Sequence, residues 1–152
     1  MFPFRKILCP TDFSEPSLCG LRLAADMAAG NDTEIVVVNV HRPIPHLPTP
    51  RDEAPDTTFD VTSYQEQVRT ETEKQLATFA AEALPGDTKI RLVVRMGRPA
   101  RKILECAEEE KVDAIVIATH GRTGLAHMVF GSVAERVVRY AECPVVTIRS
   151  CD

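Results

Sequence analysis

Thr33 to Val40 reads Thr-Glu-Ile-Val-Val-Val-Asn-Val, with Ile35, Val36, Val37 and Val38 forming an unbroken β-branched run. A strand with one wet face alternates apolar and polar residues, and this one does not. It reads as a strand buried on both faces, as in a parallel sheet. Asp113 to Ala118 (Asp-Ala-Ile-Val-Ile-Ala) repeats the pattern near the other end of the chain. Parallel neighbours need a crossover between them, so the segments around these runs should be helical.

They have helical signals. Before the Ile35 run, Arg5 to Cys9 is a short apolar strand that ends at Pro10. Thr11-Asp12-Phe13-Ser14 is a turn, Ser14 is an N-cap, and Pro16 falls in the first helical turn. Leu18, Leu21, Ala24, Ala25 and Ala28 then recur at helical spacing until Gly30-Asn31. After the run, His41 to Asp60 carries five prolines and reads as a long irregular loop. Thr62 or Ser63 caps a second helix to about Leu84, broken by Pro85-Gly86-Asp87. Ile90 to Val94 is a third strand. Met96-Gly97-Arg98-Pro99 is a tight turn into a third helix that ends around Glu110-Lys111. After the Asp113 strand comes a glycine-rich loop from Thr119 to Gly131, then a fourth helix from Ser132 to Ala141. Pro144 to Ile148 is the last strand.

The order is β-α-β-α-β-α-β-α-β. Strict alternation predicts an α/β fold: a five-stranded parallel sheet, right-handed crossovers and helices on both faces. The chain has 152 residues, the size of one ordinary domain over residues 1–152. No run approaches the ~20 apolar residues of a membrane span, and no secretory signal opens the sequence. A cytoplasmic protein is expected. Net charge is −4 with no long basic run, which argues against a nucleic-acid binder. The five cysteines form no Cys-x-x-Cys pair and are odd in number, so reduced thiols are expected. Cys151 is the one expected to be exposed.

Ligands of open parallel sheets sit beyond the carboxyl ends of the strands. Three loops lie there: Pro10-Thr11-Asp12, Gly97-Arg98-Pro99, and Thr119 to Ser132. In the last, Gly121, Gly124 and Gly131 let a backbone approach a ligand. Gly131-Ser132 opens a helix, whose free N–H groups attract anions such as phosphate. Thr119, Thr123 and Ser132 add hydroxyl donors. Arg122 is either a phosphate contact or solvated, and Asp12 is either a turn residue or a ligand acceptor. The loop is neither a P-loop nor a dinucleotide fingerprint. No Ser-His-Asp or Cys-His constellation is evident, so no catalytic residue is assigned. His120 and His127 lack the spacing and company of metal ligands, so no protein metal site is assigned.

Four segments together carry a family resemblance: Lys6-Ile-Leu-Cys-Pro-Thr-Asp-Phe-Ser14, Met96-Gly-Arg-Pro-Ala100, Ile115-Val-Ile-Ala-Thr-His-Gly-Arg-Thr-Gly124, and Gly131-Ser-Val-Ala-Glu-Arg-Val137 leading to Cys143-Pro-Val-Val146. The chain resembles the universal stress protein family, in its ATP-binding branch, from end to end. The resemblance implies a Rossmann-like or flavodoxin-like sheet and a homodimer. It implies an ATP site in which Pro10, Thr11, Asp12 and Val40 face the adenine or ribose. Ile117, Ala118, His120 and Arg122 belong to the same site, and Gly121, Gly131, Ser132 and Val133 cradle ribose and phosphates. Mg²⁺ or Mn²⁺ would accompany the phosphates.

In that branch the motif is Gly-x2-Gly-x9-Gly-[Ser/Thr], and its first glycine falls on Ala118 here. If the position needs positive φ, alanine costs about 1 kcal/mol or more. If it needs only a small side chain, the methyl is tolerated, the reading favoured here. The last strand, Pro144 to Ile148, is expected at a sheet edge, where pairing with a second copy would cover Val145, Val146 and Ile148. The function implied is an adenine-nucleotide (ATP) binding module in stress response or signalling, with an unknown protein partner. The alternatives are a nucleotide-free dimeric interaction protein and, behind it, a slow ATPase.

Overall fold

The computed structural model describes residues 3–42, 61–119 and 131–149. Along them run β1 (Lys6–Thr11), α1 (Glu15–Ala28), β2 (Glu34–His41), α2 (Val61–Ala83) and β3 (Lys89–Met96). Then follow α3 (Pro99–Glu109), β4 (Ala114–Ala118), α4 (Ser132–Tyr140) and β5 (Val145–Ile148). The strands form one five-stranded sheet in the order β3-β2-β1-β4-β5, every pair parallel.

The two buried faces foreseen from the Ile35 run are both present. Ile35 and Val37 join Ile7, Leu21 and Leu76 in a core under α1 and α2. Val36 and Val38 join Leu8, Ile103, Ile115 and Val137 in a second core under α3 and α4. Residues of one strand thus feed two cores by simple alternation.

The order is that of the Rossmann type; a flavodoxin sheet would run 2-1-3-4-5. From β1 the chain steps outward to β2 and β3, then returns to the other side of β1 for β4 and β5. The switch point therefore lies between β1 and β4. There the ladder is short: Ile7 pairs with Ala114 and Leu8 with Ile115, and no further pair forms. By contrast, β1 stays paired with β2 through Thr11 and Asn39.

That difference corrects the reading of Pro10. It does not end β1; the strand continues through it to Thr11. The carbonyl of Arg5 accepts from Glu34 on the β2 side, and that of Lys6 accepts from Asp113 on the β4 side. Alternation puts the nitrogen of Pro10 on the β4 side, beyond the last pair. A missing N–H there costs no ladder bond, which is how proline sits in a central strand.

Gly20, inside α1, faces the sheet. A Cβ there would meet Ile148 Cγ2 at 3.7 Å, Ala118 N at 3.8 Å and Cys9 Sγ at 3.9 Å, all ordinary contacts. Mid-helix glycine costs roughly 0.5–1 kcal/mol against alanine. Gly20→Ala should raise the melting temperature by about 2–4 °C in a scanning-calorimetry trace. A fall would mean that the α1–sheet spacing has no room for a methyl.

Cys9, Cys106 and Cys143 are free thiols, whereas Cys19 is disulfide-bonded, so the expectation of reduced thiols throughout does not hold. Cys151 lies outside the described residues. Burial pushes the Cys9 thiol up to about 12 and that of Cys106 up to about 11. A thiol raised this far is neutral in the fold and ionises first in the unfolded chain. Its stabilising contribution is intact below the ordinary thiol range near 9 and is lost as pH rises from there toward 12. Native Cys9 should resist iodoacetamide at pH 8, and the urea midpoint should fall between pH 9 and 12 less steeply in Cys9→Ala. Rapid native alkylation at Cys9, read by peptide mass spectrometry, would contradict this.

Candidate functional site

The short β1–β4 ladder leaves an opening at the carboxyl edge of the sheet, and a cleft of about 350 Å³ occupies it. Pro10, Thr11 and Asp12 line it from β1 and the turn beyond, and Val40 from the end of β2. Ile117 and Ala118 line it from β4, and Gly131, Ser132 and Val133 from the start of α4. The site residues that the family resemblance implies thus meet at one place wherever they fall within the described stretches, whereas of the Gly97-Arg98-Pro99 turn only Pro99 lines the cleft. His120, Gly121 and Arg122 lie outside the described residues, as does residues 43–60 of the expected long loop.

The β1 side is built on a directed chain of hydroxyls. Phe13 N–H donates to Thr11 Oγ1 at 2.9 Å, and Ser17 Oγ donates to the Ser14 carbonyl at 2.8 Å. The Thr11 hydroxyl is therefore left to donate to Ser17 Oγ, 2.9 Å away. Ser14 contributes both its N–H, at 3.1 Å, and its hydroxyl, at 2.5 Å, to Asp12 Oδ1. Ser14 is also the N-cap of α1, as its sequence position predicts. Phe13 takes a left-handed φ of 64°, unusual for a bulky side chain. Its ring packs edge-on against Phe79, with centroids 5.5 Å apart, which holds the turn in place. Asp12 is thus a turn residue, one of its two readings, and it also lines the cleft.

The α4 side offers backbone donors. Gly131 is the N-cap and no side chain caps the helix, which leaves the first N–H groups of the turn at the cleft. Gly131 has an ordinary φ of −72°, so conformation is not why glycine stands there. Space is: its N–H donates to the Thr119 carbonyl at 2.7 Å, and an added Cβ would lie 3.0 Å from that same oxygen. The helix start is pressed against the end of β4.

The backbone of Ala118 bears on the altered motif. Among the described non-glycine residues only Phe13 and Lys111 have positive φ. Ala118 is the last residue of β4, paired with Ile148, in extended strand conformation. The strain expected of a positive-φ alanine is absent.

Sequence reasoning missed Ser17, Val38, Arg42, Ile103 and Ala134, which also line the cleft. Val38 and Arg42 were legible in principle, since they share the face of Val40 at a spacing of two. Pro99 stands at the first turn of α3 and closes the β2 end of the cleft. Among the described residues no group of three His, Cys, Asp or Glu gathers as a metal site. No helix there is long and apolar enough to cross a membrane.

Fold and cleft define a doubly wound α/β protein whose crevice sits at the topological switch point. The chain belongs to the universal stress protein family: the model of that family matches residues 3–149. A universal stress protein of Methanocaldococcus jannaschii is 34% identical over 146 residues, covering 96% of this chain and 82% of its own. Among solved structures, the M. jannaschii protein MJ0577 superposes with a TM-score of 0.79 at 24% identity, over 97% of both chains. A universal stress protein in complex with cAMP gives 0.66 at 20% identity, over 96% of this chain and 97% of that one. One from Archaeoglobus fulgidus in complex with dAMP gives 0.61 at 22% identity, over 98% and 100%.

Proposed function

We propose that this chain binds an adenine nucleotide, ATP in the first place, in the cleft between β1 and β4, and works as a cytoplasmic stress-response or signalling module. The observation that carries the reading is the pairing of two complementary poles in one cleft. Asp12 offers carboxylate oxygens to amino or hydroxyl donors, and the start of α4 offers N–H groups to phosphate. Between them Val38, Val40 and Ile117 give an apolar wall suited to a flat base. The family structures with cAMP and with dAMP support an adenine nucleotide as the ligand class. A divalent cation would take its oxygens from the phosphates and water, because the described residues gather no ligand set of their own.

The test is acid extraction of the purified protein, with calorimetric titration of ATP and AMP in Mg²⁺. Bound adenine nucleotide or micromolar affinity supports the module, and ADP release over hours would add a slow ATPase. No nucleotide and no heat would overturn it in favour of the nucleotide-free interaction protein. The feature that pointed to that alternative was Ala118, whose backbone carries no strain.

We infer in addition a homodimer through the β5 edge. The two edges of the sheet differ in character. On β3, Lys89, Arg91 and Arg95 form ion pairs with Asp32, Glu110 and Glu109, a charged edge that resists pairing. On β5, Val145, Val146 and Ile148 are half-buried, and no charged side chain interrupts them. The Pro144 and Ile148 carbonyls accept from β4, so the N–H groups of Val145 and Thr147 point outward. Thr147→Pro removes one outward donor and leaves the β4 ladder intact. It should convert a dimer to a monomer in sedimentation equilibrium with the far-ultraviolet spectrum unchanged; a monomeric parent protein would refute the interface.

A further inference from the structure

We infer that Arg42 is a base-recognising residue of this cleft, its guanidinium closing over the face of the bound purine. The inference rests on the nucleotide reading above and extends it to a residue outside the family motif.

Arg42 directly follows β2, on the same face as Val38 and Val40, and all three line the cleft. Its backbone is anchored. The carbonyl of the preceding His41 accepts from Gly97 N–H at 2.8 Å, and His41 Nε2 lies 2.6 Å from Thr72 Oγ1. Gly97 makes the first bond possible by taking a φ of 145°, which a side chain would oppose. The position of Arg42 on the rim is thus fixed even though its head is exposed.

Its charge is uncommitted among the described residues. Of the nearby cations, Arg95 pairs with Glu109, and Arg101 and Lys102 pair with Glu105, while Arg98 does not line the cleft. Arg42 has no hydrogen bond or ion pair among the described residues. A free guanidinium beside an apolar slot is suited to a planar, electron-rich ring, over which it stacks with little desolvation cost.

The layout says which end of a nucleotide it meets. The phosphate-attracting start of α4 follows β4, and Arg42 follows β2, with β1 between them. Two strand spacings make about 10 Å. With the phosphate at α4, the base reaches the β2 side of the cleft, where Val38 and Val40 form the wall and Arg42 follows on the same face.

Titration of AMP and of adenosine into wild type, Arg42→Ala and Arg42→Lys separates the possibilities. A cation over a base is worth roughly 0.5–2 kcal/mol, or about 2- to 30-fold. Arg42→Ala should weaken AMP and adenosine by the same factor within that range, and Arg42→Lys should recover part of it. Loss for AMP alone would make Arg42 a phosphate contact and overturn the inference. No loss for either ligand would make it a solvated surface cation and overturn it too. Wild type binding neither ligand would refute the nucleotide reading itself, and the inference with it. Because the side chain is exposed, thermal melts of all three proteins should coincide.

Discussion

Gly131→Val is expected to remove nucleotide binding while leaving the protein folded. A Cβ at this position falls 3.0 Å from the Thr119 carbonyl oxygen, and that oxygen is backbone at the end of a buried strand. It cannot swing aside as a side-chain tip would. The start of α4 must move instead, and its N–H groups move with it. A hydrogen bond to a charged group contributes about 1.5–3 kcal/mol, so misaiming one costs roughly ten- to a hundredfold in affinity, and misaiming two removes measurable binding. The strain itself should cost about 1–3 kcal/mol of stability. Calorimetry with ATP and urea melts, run on the same preparation, read the two effects separately. The companion substitution is Ala118→Gly, which restores the family's first glycine. Because Ala118 already has a strand conformation, affinity should change by less than about threefold. A large gain in Ala118→Gly would mean that the methyl obstructs the ligand.

The contrast between Gly131 and Gly20 explains part of what sequence could and could not reveal. Their neighbouring residues place one at a helix start and the other inside a helix, but do not say which of them tolerates a side chain. One abuts a carbonyl, the other faces open van der Waals contact, and only the packed structure tells them apart. The continuous runs at Ile35 and Ile115 were legible because burial on both faces erases alternation, a signal carried by each strand alone. Strand order is not carried by any strand alone. The alternation of elements foretold parallel pairing but not whether the sheet would follow the Rossmann or the flavodoxin sequence. Pro10 misled for the same reason: whether a proline breaks a strand depends on what lies beside it, and beside it lies the opening.

The site was legible where a residue's type is tied to local geometry. Ser14 as N-cap, Asp12 in the turn and Gly131-Ser132 at a helix start all follow from short-range rules. Ser17 escaped because its partners, Thr11 Oγ1 and the Ser14 carbonyl, come together only when the turn closes with Phe13 left-handed. Arg42 escaped because it stands where the strand gives way to a proline-rich stretch, which hid its register with Val38 and Val40.

Leu21→Ala should be the most damaging single truncation for stability. Leu21 is fully buried in α1 and packs in the core with Ile7, Cys9, Ile35 and Val37. Leucine-to-alanine changes in cores cost about 2–5 kcal/mol, the spread reflecting how far the surroundings collapse into the cavity. Here α1 lies against β1, β4 and β5 at once, so inward collapse at Leu21 would break contact elsewhere, and the cost should sit in the upper half of that range. Against a total of about 5–15 kcal/mol, the urea midpoint should fall by about a quarter or more with the slope of the transition unchanged. The same helix begins at the turn that carries Asp12, so nucleotide affinity should weaken as α1 loosens, by less than in Gly131→Val. Val138→Ala provides the matching surface measurement. Val138 is 45% exposed, and in an isolated chain its truncation should cost under about 0.5 kcal/mol. A larger, concentration-dependent cost would mean that a second copy covers α4 as well as β5, whereas a loss below 2 kcal/mol in Leu21→Ala would mean that α1 is free to settle onto the sheet.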